Sequence, residues 1–393
     1  MHDLPQLCWQ ATDQAGNQLT RCATWRSASK PLPPKQAQLA DDTLKADAAF
    51  RLISVGTALI WQGDFHNAKQ LLQAIARRID ANAQARAAHS TNLTETFHKQ
   101  RQQQAQRTHL LGMLLIPFNA DHSIPLRRAP DASEACSAVF GKVDQPYVLP
   151  LRELQGIIGA HEWRKKGVEI PVLNARIHPH HGVFSPIRGE YLQLVAEAPL
   201  PALLQQHSIA FDIGTGTGVL AAILAKRGIR HIIATDQHAQ ALQCAKENIA
   251  QLGYAKQVSI EAADMYPQGQ AALIVCNPPW LPAKPSSALD AAIYDPESRM
   301  LRGFLQGLKA HLLPGGEGWL ILSDLAELLG LRTRAQLQAW IDAAGLQVMG
   351  KMDTLPQHAR ATDHTDPLHA ARSKETTSLW RLIATENSGK LSQ

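Results

Sequence analysis

Four short groups of polar or glycine residues stand where apolar runs of strand length end. The first reads Phe-Asp-Ile-Gly-Thr-Gly-Thr-Gly over residues 211–218, and it is followed by Asp236, Asp264 and an Asn-Pro-Pro-Trp run at residues 277–280. Ligands bind at the carboxyl edge of a parallel sheet, where the ends of its strands meet. Together the groups describe a nucleotide-like ligand held by a glycine loop and a carboxylate, with acceptors for a planar substrate beside it.

The glycine loop follows an apolar run directly and precedes a helical pattern. Gly214, Gly216 and Gly218 permit positive φ and close approach of a ligand to the backbone, and the helix that follows offers unpaired N–H groups. A dinucleotide fingerprint expects glycine or alanine at the sixth position, where this chain has Val219. The loop therefore favours a nucleotide-like cofactor other than NAD, and the alternative is a plain strand–helix turn.

Two aspartates follow the next strands. Asp236 stands 22 residues after Gly214, where a carboxylate can accept hydrogen bonds from both ribose hydroxyls. It can equally cap the helix predicted at residues 238–252, and the two roles are compatible. Asp264 follows the third strand, where it can accept from the exocyclic amine of an adenine ring while Met265 lies on the ring face.

The run Asn277-Pro278-Pro279-Trp280 is the sharpest signal in the chain. Two consecutive prolines remove two donors and fix the backbone, so that carbonyl groups point into the site. The side-chain oxygen of Asn277 and the carbonyl of Pro278 can each accept one proton of a substrate amino group. Trp280 offers a flat face for stacking. The alternative is a proline-stiffened turn with a packed tryptophan, and the glycine loop nearby argues against it.

From residue 209 onward, strand patterns alternate with helical ones, which predicts a parallel, doubly wound α/β sheet. The last strand follows a polar loop without a helical pattern, so it can return antiparallel. The predicted strands lie at 209–213, 231–235, 257–261, 271–276, 318–322, 346–352 and 377–383. The predicted helices lie at 219–227, 238–252, 297–312 and 333–344.

The N-terminal part predicts a different architecture. Residues 1–40 are polar and proline-spotted and are interpreted as a loose lead-in, and residues 41–148 as a mostly helical substrate-recognition region with a linker. Residues 1–130 carry 15 Lys and Arg against 9 Asp and Glu, whereas the remainder carries 24 against 25. The basic excess favours an anionic partner such as RNA, and a solvated basic surface is the alternative.

Other patterns narrow the functional classes. No apolar run reaches the roughly 18 residues that a membrane helix needs, and the first 30 residues hold no signal sequence, so a cytoplasmic protein without a membrane role is expected. Five cysteines without CxxC spacing predict reduced thiols. Three histidines within residues 178–181 invite a metal site, but Pro179 and the lack of acidic or cysteine neighbours favour a loop that packs over a ligand.

The glycine loop and the Asn-Pro-Pro-Trp run, at this spacing, resemble the class I S-adenosylmethionine-dependent methyltransferases with an N/D-P-P-aromatic motif. That branch includes adenine-N6 and guanine-N2 nucleic-acid methyltransferases and release-factor glutamine-N5 methyltransferases. The resemblance covers about residues 168–385 and implies a seven-stranded Rossmann-like domain, placed here at 149–385, with a tail at 386–393.

The resemblance also implies roles for individual residues. It assigns Asn277, Pro278, Pro279 and Trp280 to the target amine. It assigns the methionine end of S-adenosylmethionine to Asp212, Gly214, Thr215, Gly216 and Gly218, the ribose to Asp236, and the adenine to Asp264 and Met265. A segment that closes over the cofactor is represented by Phe184, Pro186 and Arg188. The tryptophan departs from the commoner Tyr or Phe, which leaves the shape of the substrate open.

Three functions are compared. An N-methyltransferase acting on a planar amino group accounts for both motifs, with RNA, ribosomal or transfer, slightly favoured over a protein glutamine because of the basic N-terminal third. An NAD(P)-dependent oxidoreductase shares the strand–helix–strand unit and Asp236, but Val219 and the Asn-Pro-Pro-Trp run oppose it. A non-catalytic RNA-binding module with a degenerate fold is opposed by the intact glycine loop.

Overall fold

The computed structural model describes residues 4–12, 17–28, 32–85, 92–186, 189–285, 289–356 and 363–385. The chain divides into two compact units, each with its own sheet. The first unit comprises Met1–Thr91 and His98–Glu162, and the second comprises Asn92–Phe97 and Trp163–Gln393.

The first unit is built on a six-stranded mixed sheet with the order β1-β2-β6-β5-β4-β3. Its buried core includes Trp61, Phe118 and Tyr147. The strands are β1 (Gln6–Thr12), β2 (Gln18–Trp25), β3 (Gln36–Ala40), β4 (Thr57–Trp61), β5 (Leu114–Phe118) and β6 (Tyr147–Pro150). The helices are α1 (Ala46–Ser54), α2 (Phe65–Ala85), α3 (Leu93–Leu111), α4 (Ser133–Phe140) and α5 (Leu151–Lys166). The start of α3, up to Phe97, and the end of α5, from Trp163, belong to the second unit.

This sheet corrects two predictions about the N-terminal part. The expected loose lead-in contains three strands, and the expected helical region contributes β4, β5 and β6 to the sheet, so the unit is α/β rather than helical. The strands were missed because β6 inserts between β2 and β5, which are far apart in sequence. Long-range pairing of this kind leaves little local periodicity to read.

The prediction that all cysteines are reduced is also wrong for one pair. Cys8 and Cys22 are directly opposite each other in the antiparallel pair of β1 and β2, and they form a disulfide bond. Register partners in an antiparallel ladder lie close enough for this bond, whereas their separation in sequence carries no such information. The other three cysteines are buried and free.

The second unit is organised around a seven-stranded sheet with the order β11-β10-β9-β12-β13-β15-β14. A small hairpin of β7 (Val168–Ile170) and β8 (Ala175–Ile177) precedes it. The strands are β9 (Ile209–Ile213), β10 (His231–Asp236), β11 (Val258–Ala262), β12 (Ala271–Cys276), β13 (Leu312–Ser323), β14 (Leu346–Thr354) and β15 (Thr377–Ala384). The helices are α6 (Glu190–Glu197), α7 (Val219–Lys226), α8 (Ala239–Gln251), α9 (Arg299–His311), α10 (Leu325–Leu328), α11 (Arg334–Ala343) and α12 (His369–Arg372).

The predicted seven-stranded doubly wound sheet is confirmed. All seven strands lie where the alternation of strand and helix patterns predicted them. Strand β15 pairs antiparallel with both β13 and β14, as expected from the polar, non-helical loop that precedes it. The central strand β12 is buried along its whole length, because helices cover both faces of a parallel sheet. Among the described helices of both units, none is long and apolar enough to span a bilayer.

Candidate cofactor and substrate site

The sheet register brings the chemistry-bearing residues of the second unit to one edge. Ile213, the last residue of β9, pairs with Thr235 of β10 and with Cys276 of β12. The next residues along these parallel strands, Gly214, Asp236 and Asn277, therefore follow side by side. This edge is where doubly wound sheets bind their ligands.

The glycine loop has the left-handed backbone that its composition predicted. The φ angles of Gly214, Gly216 and Gly218 are 71°, 55° and 81°. The N–H of Thr215 donates to the carbonyl of Thr235 at 2.8 Å, which ties the loop to β10. A Cβ at Gly216 would meet no atom of the described residues within 4 Å, so this part of the loop borders open space.

Asp212 is the buried carboxylate beneath the loop. Its Oδ2 accepts the hydroxyl of Thr215 at 2.6 Å and the N–H of Ala221 at 3.1 Å. Its Oδ1 is buried and has no hydrogen-bond partner among the described residues. Burial raises the pKa of Asp212 to about 6, and the hydrogen bonds offset only part of that effect. An unpaired acceptor of this kind is complementary to a cation bound over the loop.

Asp236 makes two backbone contacts. Its Oδ2 accepts the N–H of Gly216 at 3.1 Å, and its Oδ1 accepts the N–H of His238 at 2.9 Å, just before α8. The second contact is a turn that precedes α8 and not a helix cap, because His238 is itself the N-cap residue and α8 has no side-chain cap hydrogen bond. The side chain is only partly buried, so hydroxyl groups of a ribose can still reach it. The ribose role stays a prediction.

Asp264 is engaged by a residue that the sequence did not indicate. Its Oδ2 forms an ion pair with Nη2 of Arg299 at 2.5 Å, and both side chains are more than half exposed. Met265 has a φ of 127°, which is strained for a side chain of this size. Its carbonyl accepts the hydroxyl of Thr235 at 2.6 Å, which fixes the segment after β11 against β10.

The start of α9 reaches over the glycine loop. A Cβ added to Gly214 would overlap the terminal methyl of Met300, so Met300 borders the loop directly. Asp295, which is buried, accepts the N–H groups of Met300 and Leu301 at 2.9 and 3.3 Å and so caps the helix. The sequence predicted this helix at 297–312 but gave it no role at the site, because nothing in its composition distinguishes it from an ordinary amphipathic helix.

A hydrogen bond between its first and last residues stabilises the Asn-Pro-Pro-Trp run. The indole N–H of Trp280 donates to Oδ1 of Asn277 at 2.9 Å. Tyr191 of α6 lies beside both: its ring meets that of Trp280 edge to face at 6.5 Å, and its hydroxyl contacts the side chain of Asn277. Pro278 is buried, whereas Asn277, Pro279 and Trp280 are partly exposed. Tyr191 was not singled out from the sequence, although it follows the segment expected to close over the site.

The histidine-rich segment packs on α8. The N–H of His178 donates to Asn248 at 2.7 Å, and the side chain of Asn248 donates to the carbonyl of Thr217 in the glycine loop at 3.0 Å. His180 pairs with Glu247 at 2.8 Å. Within the described ranges, no group of three or more His, Cys, Asp or Glu side chains is arranged to hold a metal ion. The segment thus anchors the loop to its surroundings.

The three residues expected to close over the cofactor follow this segment. Phe184 is partly buried and Pro186 is buried, while Arg188 lies outside the described residues. Burial of Pro186 is compatible with a fixed rather than a swinging position. The closing role of Phe184 and Pro186 stays a prediction.

Comparison with protein families gives one match to the second unit. The family described as methyltransferase small domain matches residues 174–327. The matched stretch includes the glycine loop, both loop aspartates, the Asn-Pro-Pro-Trp run and the start of α9.

Curated relatives cover the same region. The chain is 33% identical to the release factor glutamine methyltransferase of Cereibacter sphaeroides over 44% of its own length and 62% of the relative. It is 32% identical to the ribosomal RNA small subunit methyltransferase C of Aeromonas hydrophila over 42% of its length and 45% of that relative. It is 28% identical to the tRNA1(Val) (adenine(37)-N6)-methyltransferase of Shewanella loihica over 53% of its length and 88% of that relative. The chain thus spans about half to two thirds of the first two relatives.

Proposed function

Since residues 174–327 match the family described as methyltransferase small domain, we propose that this chain transfers a methyl group from S-adenosylmethionine to a planar amino nitrogen. One observation carries the proposal. The sheet register sets Asn277 and its Pro278 carbonyl beside the glycine loop, so that an amine acceptor and a nucleotide cradle share one edge.

The residues at this edge fit S-adenosylmethionine. The unpaired, buried Oδ1 of Asp212 suits the positively charged methionine end, and the open space at Gly216 leaves room for a ligand against the backbone. Asp236 is partly exposed and suits the ribose hydroxyls. Asp264 keeps Oδ1 available beside its ion pair with Arg299, which suits the adenine amine.

S-adenosylmethionine supplies an activated methyl group when bound, so the chain's own residues have to align and polarise the amine. An amide or aryl amine is a poor nucleophile because its lone pair is delocalised. Oδ1 of Asn277 has a second lone pair beyond the one used by Trp280, and the Pro278 carbonyl provides another acceptor. Two acceptors favour a more tetrahedral nitrogen and stabilise the positive charge that develops on it.

Cys276, the residue before the motif, is not a nucleophile in this scheme. Its side chain is completely buried, and burial raises the pKa of the thiol well above its ordinary value. A neutral thiol in an apolar core neither attacks a methyl group nor binds a metal. The proposed reaction is therefore a direct transfer to the substrate nitrogen.

For the substrate we favour an RNA base, because the basic excess of residues 1–130 lies in the first unit, which we propose recognises the substrate. A protein glutamine is the second candidate, supported by the 33% identity to a release factor glutamine methyltransferase. Both substrates present a planar amino group that the two acceptors of Asn277 and Pro278 suit.

Labelled methyl transfer into an extract from cells lacking the protein tests the proposal. Label released by nuclease supports an RNA substrate, and label that survives nuclease but is lost to protease supports a glutamine. No transfer into either fraction, with folded protein and bound cofactor, would contradict the proposed activity.

The variant Asn277→Ala tests the role of the motif. We expect kcat to fall at least ~100-fold, the scale typical of a lost transition-state acceptor, while the affinity for S-adenosylmethionine is retained. Asn277→Asp keeps an acceptor oxygen at this position and is the matched control, with more activity expected than in the alanine variant. Full activity of Asn277→Ala would show that the amine is held elsewhere.

A further inference from the structure

The carboxamide of Asn277 has two aromatic neighbours that restrict its orientation. Trp280 donates its indole N–H to Oδ1 at 2.9 Å, and the hydroxyl of Tyr191 contacts the same side chain. The rings of Tyr191 and Trp280 also pack against each other edge to face, at 84°. The three side chains form one cluster, which we call the Asn277 cluster.

The indole N–H determines which way the carboxamide faces. An indole nitrogen is only a donor, so the atom opposite it must be the amide oxygen. The amide nitrogen then faces away from Trp280, where the hydroxyl of Tyr191 can accept its proton. One lone pair of Oδ1 remains for a substrate.

We propose that Tyr191 is a positioning residue, which together with Trp280 holds the Asn277 carboxamide in the orientation that accepts a proton from the substrate amine. This inference rests on the proposed N-methyltransferase function and assigns residues that act through Asn277. The tryptophan makes the arrangement distinctive, since a phenylalanine at this position has no donor for Oδ1.

Burial makes Tyr191 suitable for this role. Only 4% of its surface is exposed, and it belongs to the core of the second unit with Leu192, Leu194 and Val195 of the same helix. Burial also raises the pKa of its phenol, so the hydroxyl stays protonated at working pH. A rigid, neutral hydroxyl can hydrogen-bond the Asn277 amide without itself attracting the positive charge that develops on the substrate nitrogen. A free carboxamide would rotate and present its N–H groups to the amine, which repels it.

The test is steady-state kinetics of Tyr191→Phe and Trp280→Phe in the full chain, with the substrate fraction found above. Each variant keeps an aromatic ring and removes one hydrogen bond to Asn277. We expect kcat to fall about 5- to 10-fold in each, the size of a lost neutral hydrogen bond, with unchanged affinity for S-adenosylmethionine. Tyr254→Phe removes a hydroxyl from the same core, in the turn between α8 and β11 and outside the Asn277 cluster, and is the matched control, with wild-type kcat expected.

A double-mutant cycle separates positioning from a general structural effect. If Tyr191 acts through Asn277, adding Tyr191→Phe to Asn277→Ala lowers kcat no further, since the group it orients is already gone. An equal loss in both backgrounds would overturn the proposal, as would wild-type kcat in Tyr191→Phe. If Tyr191→Phe does not fold, Trp280→Phe decides in the same cycle. Absence of transfer by the wild-type chain would instead refute the proposed function.

Discussion

We expect the buried carboxylate of Asp212 to make the binding of S-adenosylmethionine depend on pH. Its Oδ1 has no hydrogen-bond partner within the part of the chain that the structure describes. Burial raises the pKa of Asp212 to about 6, so the group is largely protonated at pH 5 and ionised at pH 8. A cation over the glycine loop stabilises the ionised form and lowers this pKa. S-adenosylmethionine binding should therefore release a proton below pH 6.

The magnitude follows from the fraction of ionised sites. At pH 5, one unit below the pKa of Asp212, only about a tenth of the molecules carry the charge, so the affinity should be about tenfold weaker than at pH 8. Isothermal titration calorimetry at pH 5, 6, 7 and 8 measures the dissociation constant, and two buffers of different ionisation enthalpy measure the released proton. Adenosine, which lacks the charged methionine end, should bind with little pH dependence.

Asp212→Asn is the decisive variant, since it keeps the shape and an acceptor but does not titrate. We expect weaker binding with a flat pH profile between pH 5 and 8. A sloping profile in the variant would assign the effect to another group, such as His181, whose pKa is lowered by burial. A flat profile in the wild-type chain would refute the electrostatic role of Asp212.

Stability gives an independent check with a defined sign. Because the folded-state pKa of Asp212 lies above its ordinary value of 3.8, the folded chain binds this proton more tightly than the unfolded chain. The group thus contributes stability at low pH that is lost as pH rises from about 4 to about 6, by about 3 kcal/mol at most. The difference in free energy of unfolding between the wild-type chain and Asp212→Asn should change in this window.

Two further predictions concern the cofactor side of the edge. Gly216→Ala should cost about 1 kcal/mol of stability because of its positive φ, and it should weaken S-adenosylmethionine binding at least ~10-fold because the added Cβ enters the open space of the loop. The control is Gly228→Ala, which has a φ of 92° and equally open surroundings beyond α7 and should show the stability cost alone. Equal losses of binding in the two variants would contradict the assignment of Gly216 to the cofactor. Asp264→Ala should weaken S-adenosylmethionine binding about 10-fold. Arg299→Gln breaks an exposed ion pair, so it should change stability by less than ~1 kcal/mol and leave the affinity for the cofactor unchanged or higher. A loss of affinity in Arg299→Gln as large as in Asp264→Ala would make Arg299 itself a cofactor ligand. Calorimetry and thermal melts measure both sets.

Sequence patterns predicted the second unit well because its elements are encoded locally. Strands β9 and β12 are continuous apolar runs, and α7 and α8 follow turn signals at their starts. The family resemblance drawn from the glycine loop and the Asn-Pro-Pro-Trp run is confirmed by the family match over 174–327. Because the carboxyl ends of parallel strands lie at one edge of a sheet, the residues that follow β9, β10 and β12 could be predicted to lie close together.

The first unit escaped prediction because its sheet depends on pairing across long separations. Strand β2 alternates poorly, with four exposed residues among its eight, so it does not show the period of a half-buried strand. The span from Leu44 to Leu59 has helical spacing, yet the chain turns at Gly56 and Leu59 lies in β4. Strands β2 and β4 form because they pair with β6 and β5, which lie far along the chain, up to residue 150.

Within the site, backbone-encoded features were predictable and side-chain contacts across elements were not. Positive φ in the glycine loop follows from its residue types, and so does the stiffness of Pro278 and Pro279. The pairing of Arg299 with Asp264, and of Trp280 with Asn277, depends on how α9 and the turn after β12 pack. The contact between Trp280 and Asn277 could have been predicted, because residues three apart in a turn lie close to each other.

The same register explains why cofactor binding and chemistry should respond to different substitutions. Ile213 pairs with both Thr235 and Cys276, so the distance between the glycine loop and Asn277 is set by backbone hydrogen bonds. A side chain exchanged at the edge leaves that ladder intact. Changes at Asp212 or Gly216 should therefore alter the affinity for the cofactor, while changes at Tyr191 or Asn277 should alter kcat, since the rigid sheet keeps the two halves aligned in either case.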